Sequence, residues 1–147
     1  DIPLGRGMVV FNTGQTNNPM SRDPSGSVLI SNTLNSVDIW FSVFDDLLQP
    51  NNLQYNKVKK STSLFNFDNV SEENLQIYNS PINQLGYFSS STNEEYYHKY
   101  TLDLTGFNVG DIIYFKIYVT DDVNPITEIP NNGSPFTFLR YFTLKII

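Results

Sequence analysis

Four acidic doublets punctuate the chain: Asp45-Asp46, Glu72-Glu73, Glu94-Glu95 and Asp121-Asp122. Each falls at the end of an apolar segment or in a polar stretch, where carboxylates and backbone carbonyls can share an ion. Calcium takes roughly six to eight such oxygens. The candidate loop is Thr120-Asp121-Asp122-Val123-Asn124-Pro125, with Asp121, Asp122 and Asn124 as ligands. The competing expectation is that these carboxylates only solvate loop ends, because no helix-flanked calcium-loop pattern is present. Catalytic chemistry is poorly provided. His98 is the only histidine, there is no cysteine, and no Gly-x-Ser-x-Gly elbow exists. A typical zinc site therefore lacks its ligands. Carboxylate pairs for glycoside cleavage exist in number only, since 15 acidic residues always offer pairs. Gly5-Arg6-Gly7 is not followed by a phosphate-binding loop. A non-catalytic protein is expected, with calcium as its one candidate cofactor.

Aromatic side chains are the second resource. Tyr87, Phe88, Tyr96, Tyr97, Tyr100, Tyr114 and Tyr118 could supply a stacking platform for a glycan, because such rings give large rigid contact with a polar tip. The alternative is core packing and cross-strand pairing, which stabilise sheets by themselves. Tyr97, Tyr118 and Tyr141 are out of phase with the apolar sets, so they are the expected outward rings.

Positioning these residues is a task for strands. The chain has 147 residues, no alanine and 18 asparagines, with 20 Phe and Tyr together. Strong helix formers are sparse, while residues that fit a pleated, half-buried surface are plentiful. A net charge of -6 with nine scattered Lys and Arg argues against a nucleic-acid surface. No apolar run of about 18 residues is present to span a membrane as a helix. One all-β domain over 1–147 is expected, with long loops at 13–26 and 121–135.

Alternation identifies the strongest strands. In Asp111–Asp121, Ile113, Phe115, Ile117 and Val119 share one face, and Tyr114, Lys116, Tyr118 and Thr120 the other. Tyr96–Leu104 alternates likewise, and Thr105–Gly110 between them carries two glycines suited to a tight corner. Val37–Phe44 is apolar on most of both faces, as a central strand would be. Phe136–Ile146 reads as the last strand, with a bulge or a partly buried guanidinium at Arg140. Weaker strands are expected at Met8–Asn12, Ser27–Ser31, Leu53–Val58, Ser63–Phe67 and Leu85–Ser89. A single helical turn is expected at Glu72–Tyr78.

The segment Leu-Thr-Gly-Phe-Asn-Val-Gly-Asp (104–111) followed by Tyr-Phe-Lys-Ile-Tyr-Val-Thr-Asp (114–121) resembles the E strand, E–F corner and F strand of immunoglobulin-like and fibronectin type III sandwiches. Phe107, Gly110 and Tyr114 match the corner, and Trp40 matches a core tryptophan on strand C. The resemblance implies a single antiparallel β-sandwich, a Greek key of about 7–9 strands. It places A near 8–12, B near 27–32, C near 37–44, C′ or D within 53–67, E near 96–104, F near 111–120 and G near 136–146. Residues 68–95 would be an insertion. Loops 32–36 and 121–135 would share one end, with Asn131 and Asn132 as polar candidates for contacting a partner. The missing cysteines exclude the antibody form.

"VGDIIYFKIYVTDD" and "SVLISNTLNSVDIWFSVFDD" resemble immunoglobulin-like modules of Bacteroidetes surface proteins and lipoproteins. Residues 120–125 are also similar to the calcium-binding linkers of cadherin-like repeats. These likenesses imply an extracellular or cell-surface module, secreted or lipid-anchored, with structural or adhesive work and other protein subunits as partners. Two alternatives stand beside it: a carbohydrate-binding module using exposed tyrosines, and a virion or filament subunit assembling by strand addition. The last follows from the apolar final strand, an edge on this template that invites pairing unless the N-terminal segment covers it. A chain beginning at Asp1 is expected of a processed secreted protein or of a piece of a longer one.

Overall fold

The computed structural model describes residues 4–44, 55–78, 95–120, 125–131 and 140–147. Strands β1 (Leu4–Asn12), β3 (Ser36–Phe44), β7 (Glu95–Asp103) and β6 (Gln76–Tyr78) form one sheet in the order β1-β3-β7-β6. The second sheet runs β2 (Val28–Ile30), β10 (Phe142–Ile146), β8 (Ile112–Thr120), β4 (Tyr55–Ser61) and β5 (Glu73–Asn74). The sixth strand of that sheet, β9 (Thr127–Ile129), pairs with β8 beyond the end of β10. The helical content of the described residues is a single 3-10 turn at Phe67–Asn69. The protein is all-β, as the composition implied.

The two sheets pack through the faces that alternation identified. Ile113, Phe115, Ile117 and Val119 of β8 are fully buried, and they meet Val37, Ile39, Phe41 and Val43 of β3 within one core. Phe41 bridges the layers, with its ring 5.1 Å from Phe142 and 6.3 Å from Phe115. β3 is central, bonded to β1 on one side and to β7 on the other.

Pairing departs from the template in several places. Strand 36–44 lies beside β7 and not β8, whose antiparallel partner is β4. Val28–Ile30 runs parallel to β10, so the second sheet is mixed. The final strand is therefore flanked on both sides by its own chain. The loop 31–35 sits against Leu104 and Ile147, at the end where β8 begins, while β9 of the 121–135 segment pairs with Ile117–Val119, toward its far end. Trp40 lies outside the inter-sheet core, packed with Phe11 and Tyr97 on the outer face of the four-stranded sheet.

Local expectations also shift. Glu72–Tyr78 forms no helical turn: β5 and β6 lie there, and the chain changes sheets at buried Leu75, whose N–H donates to Asn56 O at 3.1 Å. Residues 73–78 thus edge both sheets. Ser63–Phe67 is a turn, and the expected 121–135 loop contains β9. Arg140 is exposed and outside any strand. Leu85–Ser89 and 132–139 lie outside the described residues.

The β1 edge of one sheet and the β2 edge of the other are bonded by the 13–26 loop. Met20 N–H donates to Val10 O of β1 at 2.9 Å, and Arg22 reaches Met8 O. One residue on, Ser21 O accepts from Leu29 N–H of β2 at 2.8 Å. An unpaired row of backbone groups is a template for aggregation, and this strap takes up some of those groups at one edge of each sheet.

Candidate functional site

The outer face of the six-stranded sheet gathers rings and ammonium groups. Antiparallel pairing sets Lys57 opposite Tyr118, Lys59 opposite Lys116 and Ser61 opposite Tyr114. Two lysines directly across a strand pair repel each other, and the neighbours resolve this. Lys116 leans toward Glu128 at 3.0 Å and sits 4.7 Å over the Tyr141 ring. Lys59 leans the other way, donating to Asp68 O at 3.0 Å and lying 5.4 Å over Tyr118. Cation–π contacts of this kind hold the ammonium against the ring while leaving N–H groups for water.

The connection from β4 to β5 covers part of this face. Phe67, 2% exposed, packs edge-on against Tyr141 at 5.1 Å, and Tyr141 packs against Tyr114 at 5.8 Å. Tyr118 is buried, which raises its phenol pKa well above the ordinary value, with Glu128, Asp68 and Glu72 adding to the effect. It stays neutral at physiological pH.

A second polar group lies between the sheets. His98, on the inner face of β7, meets Asn56 of β4 through Nε2 and Oδ1 at 2.8 Å. Two residues along β7, Tyr100 OH donates to Glu73 at 2.9 Å, and Lys60 bonds the same carboxylate. Burial raises the Tyr100 phenol. For Lys60, burial opposes the charge, but Glu73 and Tyr100 outweigh it and hold the ammonium above its ordinary range. On the opposite side of the molecule, Asp38 is 2% exposed. It accepts from Gly14 N–H at 2.8 Å and from Thr101 Oγ1–H at 2.7 Å, with Lys99 at 3.5 Å.

The outward rings expected from the sequence do not form one platform. Tyr97 and Tyr118 are buried, and they belong to opposite outer faces. Tyr141 is half-buried beneath Phe67 and Lys116. Alternation separates two faces but does not say whether a ring on the second face is covered, and Tyr97 and Tyr118 are. Asn131 ties β9 to β1 through Gly5. Asp121, Asp122, Asn124 and Asn132 lie outside the described residues. Among the described residues no three His, Asp or Glu side chains group as an ion would require.

The Lys60–Glu73–Tyr100 and His98–Asn56 contacts were not foreseen. Glu73 read as one of an acidic doublet within an expected helical turn, and Tyr100 as a platform ring or a packing ring. The available signal was Asn56, Val58 and Lys60 on one face of a seven-residue strand, which places polar groups beside the core. In comparisons with known proteins, no family model matches the chain, and no curated protein or solved structure matches it either.

Proposed function

We propose that the chain is a non-catalytic structural or adhesion module at a cell surface, built on an immunoglobulin-like sandwich. The single observation that carries this reading is the use made of its reactive side chains. His98, Lys60, Glu73, Tyr100, Lys116, Glu128 and Asp38 are spent on contacts that join strands or sheets. Groups poised for chemistry are held toward a cleft and a substrate; these hold the scaffold together. Strand order supports the immunoglobulin-like part. The order β1-β3-β7-β6 answers to A-B-E-D, and β2-β10-β8-β4-β5 to A′-G-F-C-C′, with β2 parallel to β10. Its partners would be other protein subunits of an extracellular assembly, as in the Bacteroidetes modules that the sequence resembles.

Photocrosslinking tests this on the cells that make the protein, with a photoreactive residue at exposed Thr62 or Ile126 and a glycan array run in parallel. Protein subunits captured in fixed stoichiometry are the expected result. Array binding that Tyr141→Ala removes, without protein capture, would overturn the reading in favour of a carbohydrate-binding module.

A further inference from the structure

The outward edge of β1 is only half matched by the strap that lies on it. Val10 O accepts from Met20 N–H, Met8 O from Arg22 and Asn12 O from Gln15 N–H, so the backbone groups of 8, 10 and 12 face away from β3. In an antiparallel strand the N–H and C=O of one residue point the same way. The N–H groups of Met8 and Val10 therefore face the strap beside their carbonyls, yet no acceptor meets them among the described residues. Neither residue is at the surface: Met8 is 3% and Val10 0% exposed. Buried backbone donors without an acceptor are rare, because each has given up its hydrogen bond to water.

The strap gives this edge donors only, where a strand would bring donors and acceptors in alternation. Arg22 sets a guanidinium against Met8 O, where a strand would place a backbone amide. The strap's hold on β1 is slight. Thr16, Asn17, Asn18 and Pro19 are exposed, and Met20 is half-buried against the core. From Ser21 the chain turns to β2 instead, with Leu29 N–H donating to Ser21 O and Asp23 N–H to Ser27 O. Segments with few buried apolar contacts and an exposed backbone open locally, ahead of the core strands.

We propose that the β1 edge receives an extended strand from a partner protein subunit, and that residues 15–20 are its displaceable cover. The site deepens the structural or adhesive function proposed above and rests on that reading for the kind of partner. The unmatched groups choose the occupant. They are alternate main-chain donors beside alternate carbonyls, and an antiparallel strand exchanges both bonds with Val10 and both with Met8. The side chain that replaces Met20 against the core must be apolar, since Met8 and Val10 both belong to that core.

Residue-resolved hydrogen exchange of the whole chain tests this, with a synthetic peptide of alternating valine and threonine, lysine at each end, as the probe. The peptide should slow exchange of the Met8 and Val10 amides by at least about tenfold while the Met20 amide becomes faster. Met20→Pro removes the strap's amide donor and should tighten peptide binding by at least about tenfold, because the open edge is then more populated. Arg22→Ala should act in the same direction, and β3 amides should keep their protection in both variants. Unchanged Met8 and Val10 amides would overturn the proposal, as would protection at β5 or β6 instead, or variants that bind no more tightly. Protein subunits still captured by photocrosslinking after such a result would leave the structural or adhesive reading standing without a strand site on β1.

Discussion

Gly5 and Asn131 clasp each other through two hydrogen bonds. Gly5 N–H donates to Asn131 Oδ1 at 2.8 Å, and Asn131 N–H donates to Gly5 O at 3.0 Å. This clasp joins the first strand of one sheet to the short β9 of the other, and it requires close approach. A Cβ on residue 5 would stand 2.6 Å from Ile129 Cγ2 and 2.8 Å from Ser42 O.

Gly5→Ala should therefore destabilise the fold by about 1–3 kcal/mol, since the Ile129 side chain can shift but the Ser42 carbonyl is backbone. Asn131→Ala should cost about 1 kcal/mol through the lost side-chain bond. Urea unfolding measures both, and a midpoint shift at constant slope is the expected form. A neutral Gly5→Ala would mean that the two sheets are not held this closely.

Asp38 is the buried carboxylate that fastens the β1–β2 loop and β7 to β3. Replacing it with alanine removes the acceptor of the Gly14 N–H and the Thr101 hydroxyl, both on exposed residues, at an expected cost of about 1–2 kcal/mol. Asp38→Asn keeps an acceptor oxygen and should lose less. Equal losses in the two variants would show that the charge beside Lys99, and not the acceptor, is what matters.

Stability should fall away at both ends of the pH range. Tyr100 and Tyr118 hold their protons more tightly when folded, chiefly through burial. Their contribution is full below about pH 10 and is lost as pH rises through the raised values. Lys60, also raised, acts in the same direction. Asp23 and Asp103 are lowered, first by the Ser25 hydroxyl and by the Thr105 N–H respectively. Their contribution is present above about pH 4 and is lost as pH falls through the depressed values. Urea midpoints across the range should show Tyr118→Phe flattening the alkaline limb and Asp103→Asn the acid limb. Limbs unmoved by these changes would assign the pH dependence to other groups.

Phe67→Ala should open the β4–β5 connection locally. Its ring is buried against Tyr141, so its loss should cost about 3 kcal/mol where the connection remains docked. Hydrogen exchange should rise at 64–70 with little change in β8. Uniform acceleration across both strands would show that this turn is part of the global folding unit.

Faces and corners were legible in the sequence because they are set within a few residues. Strict alternation in 112–120 sends Ile113, Phe115, Ile117 and Val119 inward whatever the partner strand, and all four are fully buried. Gly106 and Gly110 mark the corner because both take positive φ, +90° and +96°, which side-chain-bearing residues resist. Two-sided apolarity in 36–44 announced a central strand for the same local reason. Tertiary structure alone decided which strands pair. Segments 55–61 and 36–44 both satisfy the period of two, and only packing of the whole chain set the first beside β8 and the second beside β7. It also decided the fate of the second faces. Tyr97 and Tyr118 are buried by residues distant in sequence, and the final strand is covered by Val28–Ile30, more than 100 residues away. Periodicity specifies which side a residue takes; long-range contact specifies what awaits it there.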